Sequence, residues 1–198
     1  MKMKLYKAFL SDFSQEEYNK YYGMLTESRR KSVDRMKNET DKRLSVLGES
    51  LARRGISEHC GADEQDILFD RTENGKPFAV GLDVCFSISH SKDVAAVAVS
   101  DKKIGVDIEK IRFCETRVAK YACVGGDLEF VFGSDVIPES FDEASLTRFF
   151  RLWTAKEAYF KLCGTGISKL KTVSYEDIRH ICTTTLEGEY VMTVCEEK

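Results

Sequence analysis

Two prolines in 198 residues, and no low-complexity tract, leave nothing that reads as an interdomain linker. Long hydrophobic runs are missing too: none approaches the roughly 18 residues of a membrane-spanning helix. The opening stretch MKMKLYKAFLSDFSQEEY has too short an apolar segment for a secretory signal and turns acidic at once. The expectation is a cytoplasmic protein with no membrane partner. Seven cysteines, at 60, 85, 114, 123, 163, 182 and 195, are scattered without a C-x-x-C pair. Their odd number argues against a closed disulfide framework, so buried or idle thiols in a reducing compartment are expected. An excess of charge of one sign is also lacking. With 30 basic and 33 acidic residues the net charge is −3, which gives no general attraction to nucleic acid or anionic membrane. A basic ligand site must therefore be local.

What is present suits a soluble globular chain: 42 % hydrophobic and 32 % charged residues, enough to bury a core as one domain or as two small lobes. Residues 3–10 read as a first strand. From Ser14 to about Gly55 the pattern is mostly helical, interrupted near Gly23 and Asn38, with Leu44, Leu47 and Leu51 at helical spacing and Gly55 as a stop. Asn74-Gly75 signals a turn. The period then changes to strands at Val84–Ser89, Val94–Ser100 and Ile104–Glu109. A helix is expected from about Glu143 to Cys163, ended by Gly164. The tail, at Thr172–Tyr175 and Tyr190–Val194, reads as β. Helices and strands mix throughout and no internal repeat is visible, which makes the class α/β or α+β.

The sharpest local feature is Ile104-Gly105-Val106-Asp107-Ile108-Glu109. Strand alternation puts Asp107 and Glu109 on one face and Val106 and Ile108 on the other. Two carboxylates so placed repel unless solvent or a cation lies between them. Mg²⁺ is a natural cation, because it takes a few carboxylates and leaves positions for phosphate oxygens and water. Taken alone, the pair is a weak signal, because acid pairs on strand ends are usually solvated surface. In the later helix Leu146, Phe149, Phe150, Trp153 and Phe160 share an apolar arc, and Glu157 falls inside it. A carboxyl in an apolar stripe is paired, protonated or bound to a cation. Lys161, one turn on, offers the simplest pairing. Ser89-His90-Ser91, ending a strand in hydroxyls and an imidazole, and Gly75-Lys76-Pro77, holding a lysine on a turn, suit a phosphate, but alone they read more simply as a hydrogen-bonded imidazole and an exposed turn lysine.

Together these clusters resemble the surfactin-type (Sfp-type) 4′-phosphopantetheinyl transferases. That family carries a G-[I/V]-D-x-E strand followed by a W-x-x-K-E-[A/S]-x-x-K helix. Here they read Gly105-Val106-Asp107-Ile108-Glu109 and Trp153-Thr154-Ala155-Lys156-Glu157-Ala158-Tyr159-Phe160-Lys161. Gly75-Lys76-Pro77, Ile88-Ser89-His90-Ser91 and Gly164-Thr165-Gly166-Ile167-Ser168 match in the same order. The resemblance implies two similar α/β lobes related by a pseudo-twofold, residues 1–102 and 103–198, with coenzyme A in the cleft between them. It implies that Asp107, Glu109 and Glu157 hold Mg²⁺, with Mn²⁺ as the other cation such a site accepts. Lys161 would neutralise phosphate charge, and Gly75, Lys76, Pro77, Ser89, His90 and Ser91 would line the phosphate path. Lys31 and Arg43, from a basic first-lobe region, would meet the 3′-phosphate.

The reaction so implied is attack by the serine hydroxyl of an apo acyl or peptidyl carrier protein on the β-phosphate of coenzyme A, with 3′,5′-ADP leaving. Glu157, directly or through water, would take the serine proton. A pseudo-dimeric chain is expected to act as a monomer. Two other classes are weighed against this. A metal-dependent nuclease also uses an acidic strand, but the lysine such cores place two residues after a second acid is missing here, and the acidic balance disfavours polyanions. A non-catalytic coenzyme A or carrier-binding module is the second, against which the retention of all three acids and Lys161 speaks.

Overall fold

The computed structural model describes residues 3–198, apart from the side chains of residues 167–169. The chain divides into two compact units, Met1–Ile104 and Gly105–Lys198. The first begins with strand β1 (Lys4–Phe9) and three helices, α1 (Gln15–Gly23), α2 (Glu27–Asp34) and α3 (Glu39–Cys60). Strands β2 (Phe69–Arg71), β3 (Pro77–Ala79), β4 (Cys85–Ser91) and β5 (Val94–Ser100) follow. β6 (Ile104–Lys110) leads into the second unit, which holds α4 (Ala119–Ala122), α5 (Asp127–Phe132), α6 (Glu143–Cys163), α7 (Tyr175–Ile178), β7 (Cys182–Glu187) and β8 (Tyr190–Glu196).

In the first unit an antiparallel sheet runs in the order β1-β5-β4, beside a two-stranded β2-β3 ribbon. Helix α3 covers the sheet, placing Val46, Leu47, Leu51, Ala52 and Ile56 in one core with Phe86, Val97 and Val99. The interruptions expected in the helical region are real: Thr26 caps α2 through the amide of Arg29, and Asn38 caps α3 through that of Thr40.

Gly55 does not stop α3. A Cβ there would lie 2.7 Å from Cε2 of Tyr6 and 2.9 Å from Cγ2 of Val99, so this glycine allows the helix to approach the sheet. The stop is Gly61, at φ 73°. The two uses of glycine look alike in sequence, because only the position of the sheet separates them.

The second unit centres on α6. Its Phe149, Phe150 and Leu152 pack with Ala119, Ala122, Val131 and Val191, over a sheet ordered β6-β8-β7. The helix runs over the expected residues: Asp142 caps it through the amide of Ser145, and Gly164 ends it at φ 68°.

Thr172–Tyr175 is not a strand. Ser174 accepts a hydrogen bond from the amide of Asp177 and caps the short helix α7, a local side-chain bond that outcompetes the extended pattern. Cys182 and Cys195 form a disulfide, contrary to the idle thiols expected from the cysteine count. They are direct partners across the β7-β8 hairpin, with Cα atoms 4.2 Å apart. A hairpin register set by the turn at Gly188 is what makes them neighbours.

Candidate active site

Asp107 and Glu109 extend from β6 on the same side as Gly105. A Cβ on Gly105 would sit 1.9 Å from the carbonyl oxygen of Ala158 and 2.5 Å from the amide nitrogen of Leu162. β6 therefore lies against α6 at a distance that only glycine allows. That contact brings the strand carboxylates beside the helix residues that flank it. Lys161 Nζ donates to Asp107 Oδ1 at 2.6 Å, and Asp107 is buried. Sequence spacing alone offered Glu157 as the partner of Lys161; the fold places the ammonium on Asp107.

Glu157 is 9 % exposed. Burial pushes its carboxyl up to about 8, and the negative charge of Asp107 adds to the effect. Lys161 works against the rise, while Glu109 and a hydrogen bond with Asp107 reinforce it. Glu109 Oε2 accepts a hydrogen bond from Arg112 Nη1 at 2.8 Å. Three carboxyls thus meet beside the half-buried Lys161, with Arg112 at the margin. A carboxyl held protonated by burial and by the neighbouring acids marks a cluster short of positive charge, which a hard divalent cation with oxygen ligands would supply. Among the described residues no three His, Cys, Asp or Glu side chains form a ready-made metal cage. The donor set still fits Mg²⁺, which relies on one or two carboxylates and completes its shell with phosphate oxygens and water.

This electrostatics has a measurable consequence in the metal-free protein. Glu157 is held above its ordinary value of 4.5, at about 8, so the fold favours its protonated form. That stability is fully present below the ordinary value and is lost as pH rises through about 8. In the presence of chelator the melting temperature should fall as pH rises from about 5 to about 9. Glu157→Gln, which cannot ionise, should flatten that slope; an unchanged slope would remove Glu157 as its source.

The first unit holds the other residues singled out by sequence. The Gly75 turn is closed by the amide of Thr72 donating to the Lys76 carbonyl at 2.9 Å and that of Gly75 donating to the Thr72 carbonyl at 2.8 Å. Gly75 takes φ 82°, a conformation natural to glycine. Pro77 begins β3. Lys76 does not extend into solvent: its Nζ donates to the carbonyl of Ile104 at 3.1 Å. In β4, Ser89 and Ser91 are buried and His90 is exposed, so strand alternation sends the imidazole to the face opposite the two hydroxyls. Lys31 pairs with Glu27 at 2.6 Å on the surface of α2. Arg43 donates to Gln15 Oε1 at 2.9 Å and to the Phe13 carbonyl, with its guanidinium over the Phe13 and Tyr18 rings. In the motif Gly164–Ser168, the side chains of Ile167 and Ser168 lie outside the described residues.

Sequence reasoning missed the role of Lys156. It is fully buried, and its Nζ donates to Asp127 Oδ2 at 2.5 Å, the Ala122 carbonyl at 2.6 Å and the Leu170 carbonyl at 3.2 Å. Asp127 in turn accepts from the amides of Val124 and Tyr175. One ion pair therefore ties α6 to α4, α5, α7 and the connection before α7. Its only sequence signal is a lysine beside Glu157 in a helix whose neighbouring positions are all apolar or small. Nothing in the sequence points from there to Asp127.

Comparison with known proteins adds an independent line. Residues 12–102 match the family described as 4′-phosphopantetheinyl transferase, N-terminal, and residues 103–192 match the 4′-phosphopantetheinyl transferase superfamily. The chain is 32 % identical over 168 residues to 4′-phosphopantetheinyl transferase Sfp of Bacillus subtilis (strain 168), covering 84 % of this chain and 72 % of that one. It is 30 % identical over 187 residues to psf-1 of Bacillus pumilus, covering 86 % and 78 %. With gsp of Aneurinibacillus migulanus the identity is 29 % over 159 residues, covering 79 % of this chain but only 63 % of that relative.

Proposed function

The chain belongs to the 4′-phosphopantetheinyl transferase family, and from that premise we propose that it moves the phosphopantetheine arm of coenzyme A onto a serine of an apo acyl or peptidyl carrier protein, releasing 3′,5′-ADP. The observation that carries this reading for these particular residues is the meeting of Asp107, Glu157 and Lys161 where β6 crosses α6. Asp107, Glu109 and Glu157 would hold Mg²⁺ or Mn²⁺, which supplies positive charge to phosphate oxygens when bound.

The protein's own groups account for the remaining steps. Lys161, partly exposed and ion-paired with Asp107, turns its ammonium to the pyrophosphate and offsets charge on the leaving oxygen. Glu157, directly or through water, takes the serine proton as the hydroxyl attacks the β-phosphate. In this reading residues 1–102 form the coenzyme A side and residues 103–198 carry the metal and the catalytic helix. The division of the fold after Ile104 and the family boundary at 102 and 103 support that assignment.

Lys76 and His90 serve the phosphates, with Gly75 and Pro77 shaping the turn that presents Lys76, while Ser89 and Ser91, buried on the other face of β4, hold the strand that presents the imidazole. Lys31 and Arg43 take the 3′-phosphate by exchanging their present partners, Glu27 for one and Gln15 with the Phe13 carbonyl for the other. We place the protein in the cytoplasm as a monomer: Cys60 and Cys163 are exposed thiols, which suit a reducing compartment. No helix among the described residues is long and apolar enough to cross a membrane.

Intact-mass spectrometry of an apo-acyl carrier protein incubated with this protein, coenzyme A and Mg²⁺ tests the reaction. A gain of roughly 340 Da on the carrier, abolished by chelator and restored by added Mg²⁺, is expected. Coenzyme A binding without a gain on any of several unrelated carriers would instead favour a non-catalytic coenzyme A and carrier-binding module. Absence of binding as well would sink the reading.

A further inference from the structure

Cys182 opens strand β7 and Cys195 lies near the end of β8, so their disulfide closes the open end of the hairpin. β7 is the outer strand of its sheet, and most of its residues are exposed or only half-buried. Hydrophobic burial therefore holds it weakly. On the other side of the bond, Cys195 is fully buried. It packs with Ala158 and Leu162 of α6, and its Sγ lies 3.7 Å from the carbonyl oxygen of Ala155. Ala158 and Leu162 are also the residues that Gly105 of β6 touches. One stretch of α6, residues 155–162, is thus in contact with the disulfide strand and with the strand that carries Asp107 and Glu109, and Glu157 and Lys161 lie within it.

We propose that Cys182–Cys195 is a reversible redox site, a target of thiol–disulfide exchange with low-molecular-weight thiols and disulfides, whose state sets the packing of the helix that bears Glu157 and Lys161. Cys60 and Cys163 are exposed and carry no disulfide. A chain exposing such thiols is not built for a strongly oxidising compartment, where they would exchange with the bond, and a single disulfide in a reducing one is facultative. Cys182 is the accessible sulfur, half-buried where Cys195 is closed off.

For oxidation, the Cys182 thiolate attacks a small disulfide RSSR, forming a mixed disulfide and releasing one RS⁻. The Cys195 thiolate then attacks the Cys182 sulfur and releases the second. Two electrons pass from the cysteine pair to RSSR, and the two thiol protons end on the departing thiolates as two RSH. In the reverse direction two RSH restore the dithiol. Two thiols require van der Waals separation where one bond did not, and in a close-packed interior that extra space is taken from α6 or from the β7 edge.

The test uses the full chain equilibrated with oxidised or reduced glutathione, alkylated and peptide-mapped, with melting temperature and carrier turnover measured on each form. The expected result is a Cys182–Cys195 cross-link in the oxidised form only, with a reduced form that melts lower and turns over several-fold more slowly, both reversed on reoxidation. Cys182→Ser should resemble the reduced form in either buffer. The proposal is overturned if the cross-link does not form, if the two forms match in both melting and turnover, or if Cys182→Ser still responds to glutathione. Only the turnover arm rests on the transferase reading: a cross-link and melting shift with no turnover in either form would support the redox site and refute that reading.

Discussion

Glu157→Gln is expected to lower turnover by about 100-fold or more while leaving the protein folded, the range in which loss of a positioned acid–base group falls. Glutamine keeps the shape of the side chain and a carbonyl oxygen, so the buried position at the β6-α6 crossing stays filled. It cannot accept the serine proton and brings no negative charge to a cation. The substitution also removes a carboxyl that burial and the neighbouring acids hold near pKa 8, so the metal-free variant should lose no stability at pH 8. That combination separates a catalytic loss from a folding loss. Turnover should be measured with near-ultraviolet circular dichroism and melting on the same sample. Near-wild-type turnover, or a loss of activity that tracks unfolding, would refute the role given to Glu157.

Lys156→Met should have its effect on stability instead, at about 3–5 kcal/mol, the usual cost of removing one partner from a buried ion pair. Methionine fills similar volume, but Asp127 would keep a charge in a site only 2 % exposed, and the Ala122 and Leu170 carbonyls would lose a donor. Asp127→Ala should be comparably harmful, because the amides of Val124 and Tyr175 lose their acceptor as well. Pairing Lys156→Met with Asp127→Ala should cost clearly less than the sum of the single changes, since the two groups form one unit. Urea unfolding of the four proteins, at constant m-value, measures the coupling. Additive costs would mean that the pair is not the tie that the structure shows. Glu157 and Lys156 are adjacent in sequence, yet one substitution is read out in turnover and the other in stability.

The contrast between these two neighbours shows how far sequence reading reaches. Strand alternation along Ile104–Glu109 and the apolar arc of α6 are local properties, set by backbone geometry within a few residues. They were enough to place Asp107 with Glu109 and to single out Glu157 as an acid in the wrong surroundings. Caps at Asn38 and Gly164 are equally local. Where one residue type serves two ends, local reading fails: Gly55 admits a sheet rather than ending a helix, and Ser174 caps a helix inside a stretch that reads as strand.

By itself, then, the sequence determined the class of fold, the strand and helix that bear the candidate site, the family it resembles, and the acids and lysine proposed for phosphoryl chemistry. Only the tertiary structure decided which partners those side chains have. Lys161 meets Asp107 across 54 positions of sequence, Lys156 meets Asp127 across 29, and Cys182 meets Cys195 across a hairpin. Such pairs depend on how closely a strand can lie on a helix and on the register that a turn imposes. Those distances are settled by packing of the whole unit, through contacts like Gly105 on Ala158, and no window along the chain contains them.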